Sequence, residues 1–319
     1  MGELRAAIFG FGYAASEHRK GYDAANGARL VAIADQTAER LKALEGTDVT
    51  AFQDVDELLR TIRPEIVSIC TPPSTHAKLT AKALAAGAHV LCEKPLAHNL
   101  SDARRMLDSA RQAKRILGVA FCHRFVPAIR KLRSLIESSA IGTPLLYRNQ
   151  FSARFEGVEK TWFSKPELSG GGTLMDTTVH SVDLFRFLIG EVNAVRALAS
   201  TTRPGLTVED TSIVLVRSAS GCIGSLEASW NVAPGTFLIE VRGTEGEFIY
   251  DYETLRRRGA AETSWREEAV DAPMGVRFCG EIQHFIDAVN GNAEMELDAM
   301  EGLRSLEILE DAYTDLRRP

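Results

Sequence analysis

The chain predicts an α/β N-terminal Rossmann domain, a doubly wound parallel sheet, joined to an α+β C-terminal domain with a large, mainly antiparallel, open-faced sheet. Three observations carry this. Up to about residue 120, short apolar runs alternate with helical patterns; beyond it the runs lengthen and alternate in polarity; and the 319 residues exceed what one hydrophobic core usually supports. The expected division is 1–120 and 121–319.

In the first part "AAIFG", "RLVAIAD", "EIVSIC", "AHVLCE" and "ILGVAF" are apolar nearly throughout. They are separated by helical patterns over 13–24, 37–44, 75–86 and 101–114. Such strands belong to a parallel sheet covered on both faces. After a helix in "RFVPAIRKLRSLIESS" come "PLLYRNQFSARF", "VNAVRALAS", "DTSIVLVRS", "GCIGSLEASWNV", "TFLIEVRGT" and "GEFIYDY", punctuated by Gly, Pro or Asn. Their alternation fits an antiparallel sheet with one covered face. Helices over 278–290 and 298–316 carry apolar residues at helical spacing, including Leu303, Leu306, Leu309 and Ala312.

Composition excludes several functions. Net charge is −6 and the one dense basic run, Arg256 to Arg258, has no interleaved aromatics, so no nucleic-acid partner is expected. Five scattered cysteines show no zinc spacing, so no metal is expected and a reducing compartment is. The start "MGELRAAIFGFGYAAS" lacks the ~7 apolar residues of a signal core, and no window approaches the ~18 of a membrane span. A cytoplasmic protein without membrane contact is expected.

"IFGFGYAAS" ends the first strand and opens a helix. Gly10 permits the tight turn, Gly12 lets backbone approach a pyrophosphate, and Ala15 lets helix and strand pack closely. Phe11, Tyr13 and Ala14 complete the expected phosphate-binding turn, where helix N–H groups favour an anion. Asp35 closes the second strand, where a carboxylate accepts ribose hydroxyls and repels a 2′-phosphate; NAD is expected over NADP. Asp35 as an N-cap for "QTAERLKAL" is the structural alternative.

Ligands of doubly wound sheets sit beyond the carboxyl ends of the strands. Thr71 and Pro72 after "IVSIC", Glu93 and Lys94 after "HVLC", and His123 after "ILGV" all fall there. Pro95 biases Lys94 away from helical backbone. His76 is either a cofactor neighbour or a first-turn helix residue. In "SGGGTLMDTTVHSVDLFRFLIG" three glycines precede an amphipathic helix on which Asp176 and His180 stand four apart, with Asp183 close to the same face. Carboxylate and imidazole so placed can act as an acid–base pair. A surface Asp beside a core His is the alternative.

A dinucleotide fingerprint, "TPPSTH", "EKPLA", and "GGG" followed by an Asp and a His four apart, in this order across nearly the whole chain, resembles the glucose-fructose oxidoreductase / inositol dehydrogenase (Gfo/Idh/MocA) family. The resemblance implies a catalytic trio of Lys94, Asp176 and His180, and substrate and oligomer contacts by the C-terminal sheet. Two departures stand out: Thr178 where the family has Gly, and His123 where it often has Asn. The expected chemistry is NAD-dependent oxidation of a secondary hydroxyl of a sugar, cyclitol or derivative, or the reverse. His180 acts as general acid/base, Asp176 assists, and Lys94 stabilises charge on the oxygen. Arg124 and Trp162 are added as substrate contacts. A homodimer or homotetramer through the second sheet is expected. Nucleotide-sugar dehydrogenase or ketoreductase, NAD-dependent glycosidase and non-catalytic regulator remain open alternatives.

Overall fold

A computed structural model describes residues 2–270 and 272–317. By contacts the chain forms two compact units, Met1–Cys122 with Phe278–Arg304, and His123–Arg277 with Ser305–Pro319. A division at residue 120 would put everything after it in the second domain. Phe278–Arg304 instead joins the first unit, because its apolar face packs on the first helix there.

The first unit is built from β1 (Leu4–Phe9), α1 (Tyr13–Ala24), β2 (Ala28–Ala34), α2 (Ala38–Leu41), β3 (Thr50–Phe52), α3 (Val55–Ile62), β4 (Ile66–Ile69), α4 (Pro73–Ala85), β5 (His89–Glu93), α5 (Leu100–Ala113) and β6 (Leu117–Ala120). All six strands are parallel, in the order β3-β2-β1-β4-β5-β6. β4 and β6 are buried at every position, which is why they are apolar without alternation. The order reverses between β1 and β4. The turns leaving these two central strands therefore flank the crevice in which such sheets hold ligands.

β3 and α3 have no counterpart in the sequence reading. The strand is three residues long and partly exposed, while Asp54 caps the helix by accepting the N–H groups of Asp56 and Glu57 at 2.7 and 2.9 Å.

The second unit comprises α6 (Pro127–Glu137), β7 (Pro144–Ser152), α7 (Pro166–Ser169), α8 (Val179–Leu188), β8 (Val192–Ser200), β9 (Thr211–Ser218), β10 (Ile223–Ser229), β11 (Thr236–Gly243), β12 (Gly246–Tyr250), β13 (Leu255–Gly259) and β14 (Arg266–Glu268). Its sheet runs β14-β13-β12-β11-β7-β10-β9-β8, and only the β7–β10 pair is parallel. β9 alternates buried and exposed residues; Val214 and Val216 point inward with Leu226, Ile239 and Phe248. α8 covers this inner face, with Phe185 edge-on to Tyr147 at 5.2 Å. On the outer face Leu146, Leu198, Leu215 and Ile223 are exposed.

Last in the chain come α9 (Arg277–Val289) and α10 (Ala299–Leu316). Within the first unit, Ile282 of α9 seats against Gly21 of α1, where an added Cβ would approach it to 2.7 Å. Leu297 and Asp298 continue the sheet edge: Val119 N–H donates to the Leu297 carbonyl at 2.8 Å, and Gly118 bridges Asp298.

Candidate active site

The turn after β1 is tight because Gly10 sits at φ +86° with Cys70 against its Cα; a Cβ there would lie 2.7 Å from the Cys70 carbonyl oxygen. Gly12, the N-cap of α1, faces open space: a Cβ there meets nothing within 4 Å. Backbone can thus be approached closely at the helix N-terminus, which fits a pyrophosphate. Asp35 at the end of β2 accepts the N–H groups of Phe11 and Thr37, each at 2.7 Å, and Arg40 lies 3.2 Å away. Burial opposes ionisation of Asp35, but those two N–H groups and Arg40 together hold its carboxyl below the usual range. The N-cap of α2 is Thr37 and not Asp35.

Beyond β4, Thr71 Oγ1 and Thr75 Oγ1 lie 2.6 Å apart, and Pro72 is the N-cap of α4. His76, open between a cofactor neighbour and a first-turn helix residue, lies in the first turn of α4. It is wholly buried, with Nε2 2.8 Å from the Thr71 carbonyl and Nδ1 3.1 and 3.2 Å from those of Pro95 and Leu96. Burial pushes its pKa down. A neutral ring has one N–H, so it donates either to the Thr71 carbonyl after β4 or to those of Pro95 and Leu96 after β5. Glu93, also buried, accepts the Lys94 N–H at 3.1 Å, and the Lys94–Pro95 peptide is cis.

In the second unit, the glycine loop 170–172 is pinned by Glu209. Its Oε1 accepts the N–H groups of Gly172 and Leu174 at 2.9 and 3.0 Å and the Tyr313 hydroxyl at 2.8 Å; its carbonyl accepts Thr173 N–H. A Cβ on Gly172 would fall 1.8 Å from that carbonyl, so glycine serves close approach here. The segment Leu174–Thr178 then winds as a π-helical turn before α8 begins. An ordinary amphipathic α-helix is the sequence expectation. The wider turn instead carries Asp176, and such turns recur at functional sites. Thr177 Oγ1 donates to Asp176 Oδ2 at 3.1 Å and accepts Trp230 Nε1–H at 3.2 Å.

His180 opens α8, and the ring of His123 stands 4.7 Å from it, edge-on. His123 Nδ1 is 3.0 Å from the Tyr252 hydroxyl, and both rings pack on Phe151. The structure thus puts His123 in the second unit with His180, where the sequence reading grouped it with the cofactor residues. Tyr252 was passed over; nothing local in "YDYET" marks it, although it holds a left-handed φ of +69°.

Arg124, expected as a substrate contact, meets Asp183. It is buried, its Nε 3.1 and 3.0 Å from the two oxygens of Asp183 and its Nη2 2.5 Å from Oδ1, beneath the face of Phe187. Its Nε and Nη2 thus bind a residue of α8. Asp183 is accordingly buried, whereas Asp176 and His180 are half-buried. Trp162 is half-buried and stacks on Phe163 at 3.8 Å, and Phe163 packs on the cluster of Val158, Leu206, Val208 and Trp230. Among the described residues no group of three or more His, Cys, Asp or Glu could hold a metal, and no helix is long and apolar enough to cross a membrane.

Comparison with known proteins identifies both parts of the chain. Residues 4–121 match the oxidoreductase family, NAD-binding Rossmann fold, and residues 129–249 match the Gfo/Idh/MocA C-terminal domain. The chain belongs to the Gfo/Idh/MocA family. Levoglucosan dehydrogenase of Pseudarthrobacter phenanthrenivorans is 30% identical over 234 residues, which span 65% of this chain and 59% of that protein. The 1,5-anhydro-D-fructose reductase of Ensifer adhaerens is 33% identical over 231 residues, 70% of this chain and 69% of the other. Among solved structures, levoglucosan dehydrogenase in complex with NADH and levoglucosan superposes with a TM-score of 0.89 at 25% identity, covering 98% of this chain and 97% of that one. This Gfo/Idh/MocA oxidoreductase therefore carries an NAD-binding Rossmann domain followed by the family's C-terminal domain.

Proposed function

We propose that this oxidoreductase interconverts a secondary hydroxyl and a ketone on a cyclic sugar or cyclitol. The observation that carries this reading is the ionisable group formed by Asp176 on its π turn, His180 at the start of α8 and His123 beside it. Relatives named for levoglucosan and 1,5-anhydro-D-fructose support a cyclic polyol substrate. Bound NAD would supply the hydride acceptor.

Loss of hydride from carbon requires that the hydroxyl proton leave too. His180 takes that proton, and Asp176 binds an adjacent hydroxyl and assists. Lys94 donates to the oxygen as negative charge grows on it. Gly10, Phe11, Gly12, Tyr13, Ala14 and Asp35 would hold the dinucleotide together with Thr71, Pro72 and Glu93. Trp162 borders the substrate. Five free thiols support a cytoplasmic setting. The exposed apolar residues on the outer sheet face support assembly with further copies of this chain, and light scattering should give a dimer or tetramer.

Wild type and Lys94→Ala, assayed with NAD against levoglucosan, myo-inositol and a panel of free and nucleotide-linked sugars, test the reading. Turnover should fall about a hundredfold or more in the variant, as when an oxyanion donor worth ~3 to 4 kcal/mol is lost, while NADH fluorescence still titrates. Near wild-type turnover in Lys94→Ala would refute it, and so would sugar release by the wild type without NADH formation.

A further inference from the structure

Behind the exit of β5 lies a buried string of polar side chains of which the reaction uses only Glu93. His18 of α1 has Nδ1 3.0 Å from Ser68 Oγ and Nε2 3.1 Å from Glu93 Oε1. Ser68 Oγ also lies 2.9 Å from the Tyr22 hydroxyl, and Glu93 Oε2 accepts Lys94 N–H. Tyr22, His18, Ser68 and Glu93 are each at most 9% exposed. α9 closes the site: the Phe278 ring stands 6.1 Å from that of His18, and Glu281 Oε2 is 4.0 Å from Nε2.

A leucine would fill the same space without burying charge, and buried carboxylates cost several kcal/mol unless donors satisfy them. Ionised Glu93 accepts and cannot donate, so His18 Nε2 must carry the hydrogen between them. Burial opposes the charge on Glu93; the bond from His18 and the nearby Lys94 outweigh it and hold the carboxyl below its ordinary range. Both Glu93 oxygens are thereby engaged within the unit, one by His18 and one by the Lys94 backbone.

We propose that His18 is a positioning residue for Lys94, fixing the Glu93 carboxylate and, through it, the backbone from which the lysine projects. The inference rests on the role given to Lys94 above. The ionisable groups facing His18 are Glu93 from β5, Glu281 from α9 and Tyr22 from α1; Cys70 after β4 faces the two carboxylates, and burial followed by the Glu93 charge pushes its thiol up.

The test compares His18→Gln with His18→Asn in the full chain. The glutamine amide reaches as far as His Nε2 and can restore the bond to Glu93. The asparagine amide reaches only as far as Nδ1, towards Ser68. His18→Gln should keep kcat within about threefold of wild type, and His18→Asn should lose about tenfold or more with the KM for NAD within about twofold. In His18→Asn burial should dominate at Glu93 and raise its carboxyl pKa, so turnover should climb with pH where wild type is flat.

Carbon-13 NMR titration of the Glu93 carboxyl, without substrate, reads the same link independently of turnover. Equal kcat values in the two variants, or a Glu93 titration that does not move in His18→Asn, would overturn the proposal. Should the wild type oxidise no polyol, the Lys94 reading fails while the titration still decides the His18–Glu93 link.

Discussion

Replacing Arg124 by methionine removes one partner of a pair whose side chains are 5% and 1% exposed, joined by three contacts of 2.5–3.1 Å. Asp183 is then left as a carboxylate out of water, beside the buried Tyr147 hydroxyl, whose pKa burial and then the Asp183 charge already push up. Breaking a buried pair in this way costs about 3–5 kcal/mol, because desolvation is no longer compensated. At about 2–4 °C per kcal/mol for a unit of this size, the melting temperature should fall by roughly 6–20 °C. Arg124→Met with Asp183→Leu together should recover most of that loss, since neither charge remains to be satisfied. Thermal unfolding followed by circular dichroism on the wild type, both single variants and the double variant gives the coupling energy. A double variant as unstable as the sum of the singles would refute the reasoning. Arg124 adjoins His123 and Asp183 lies one turn beyond His180 on α8, so the recovered double variant should still show reduced kcat.

Asp35 should set both cofactor choice and acid sensitivity. Its folded pKa is depressed, so its stabilisation is complete above about pH 4 and is lost as the pH falls through the lower folded value. Asp35→Asn should remove that acid-side loss from the stability curve, and it should narrow the NADH over NADPH preference in a fluorescence titration. Gly172→Ala should destabilise by about 3 kcal/mol in urea unfolding, because its Cβ would overlap the backbone carbonyl of Glu209. Gly157→Ala is the contrast: it meets no atom within 4 Å and bears only the strain of its φ of +72°.

Local patterns in the chain carried the elements whose signals are local. The helices expected over 13–24, 101–114 and 278–290 lie within a residue of Tyr13–Ala24, Leu100–Ala113 and Arg277–Val289, since apolar spacing and caps such as Asn99 are read from neighbours in sequence. Thr50–Phe52 escaped because three half-exposed residues show no period. The π turn at Leu174–Thr178 escaped because apolar spacing does not separate a single wide turn from an α turn. Arg124 and Asp183 have residue types that suit a site, yet they find each other 59 positions apart, and His76 lies against carbonyls 5, 19 and 20 positions away; only folding brings these partners together. His18, Glu209 and Tyr252 carry no local mark at all. Each gains its place from a contact 35 or more residues distant.

The late segment that completes the first unit bears on the order of events during synthesis. β6 leaves the ribosome with its outer edge unpaired, and α1 with the groove at Gly21 and the flank of His18 unfilled, until Leu297 and α9 follow some 180 residues later. A fragment ending at Cys122 should consequently be a sticky, incomplete product, and the nascent protein passes most of its elongation with that edge open to other chains. Whatever shelters it in that interval matters to yield as much as the stability of the finished fold.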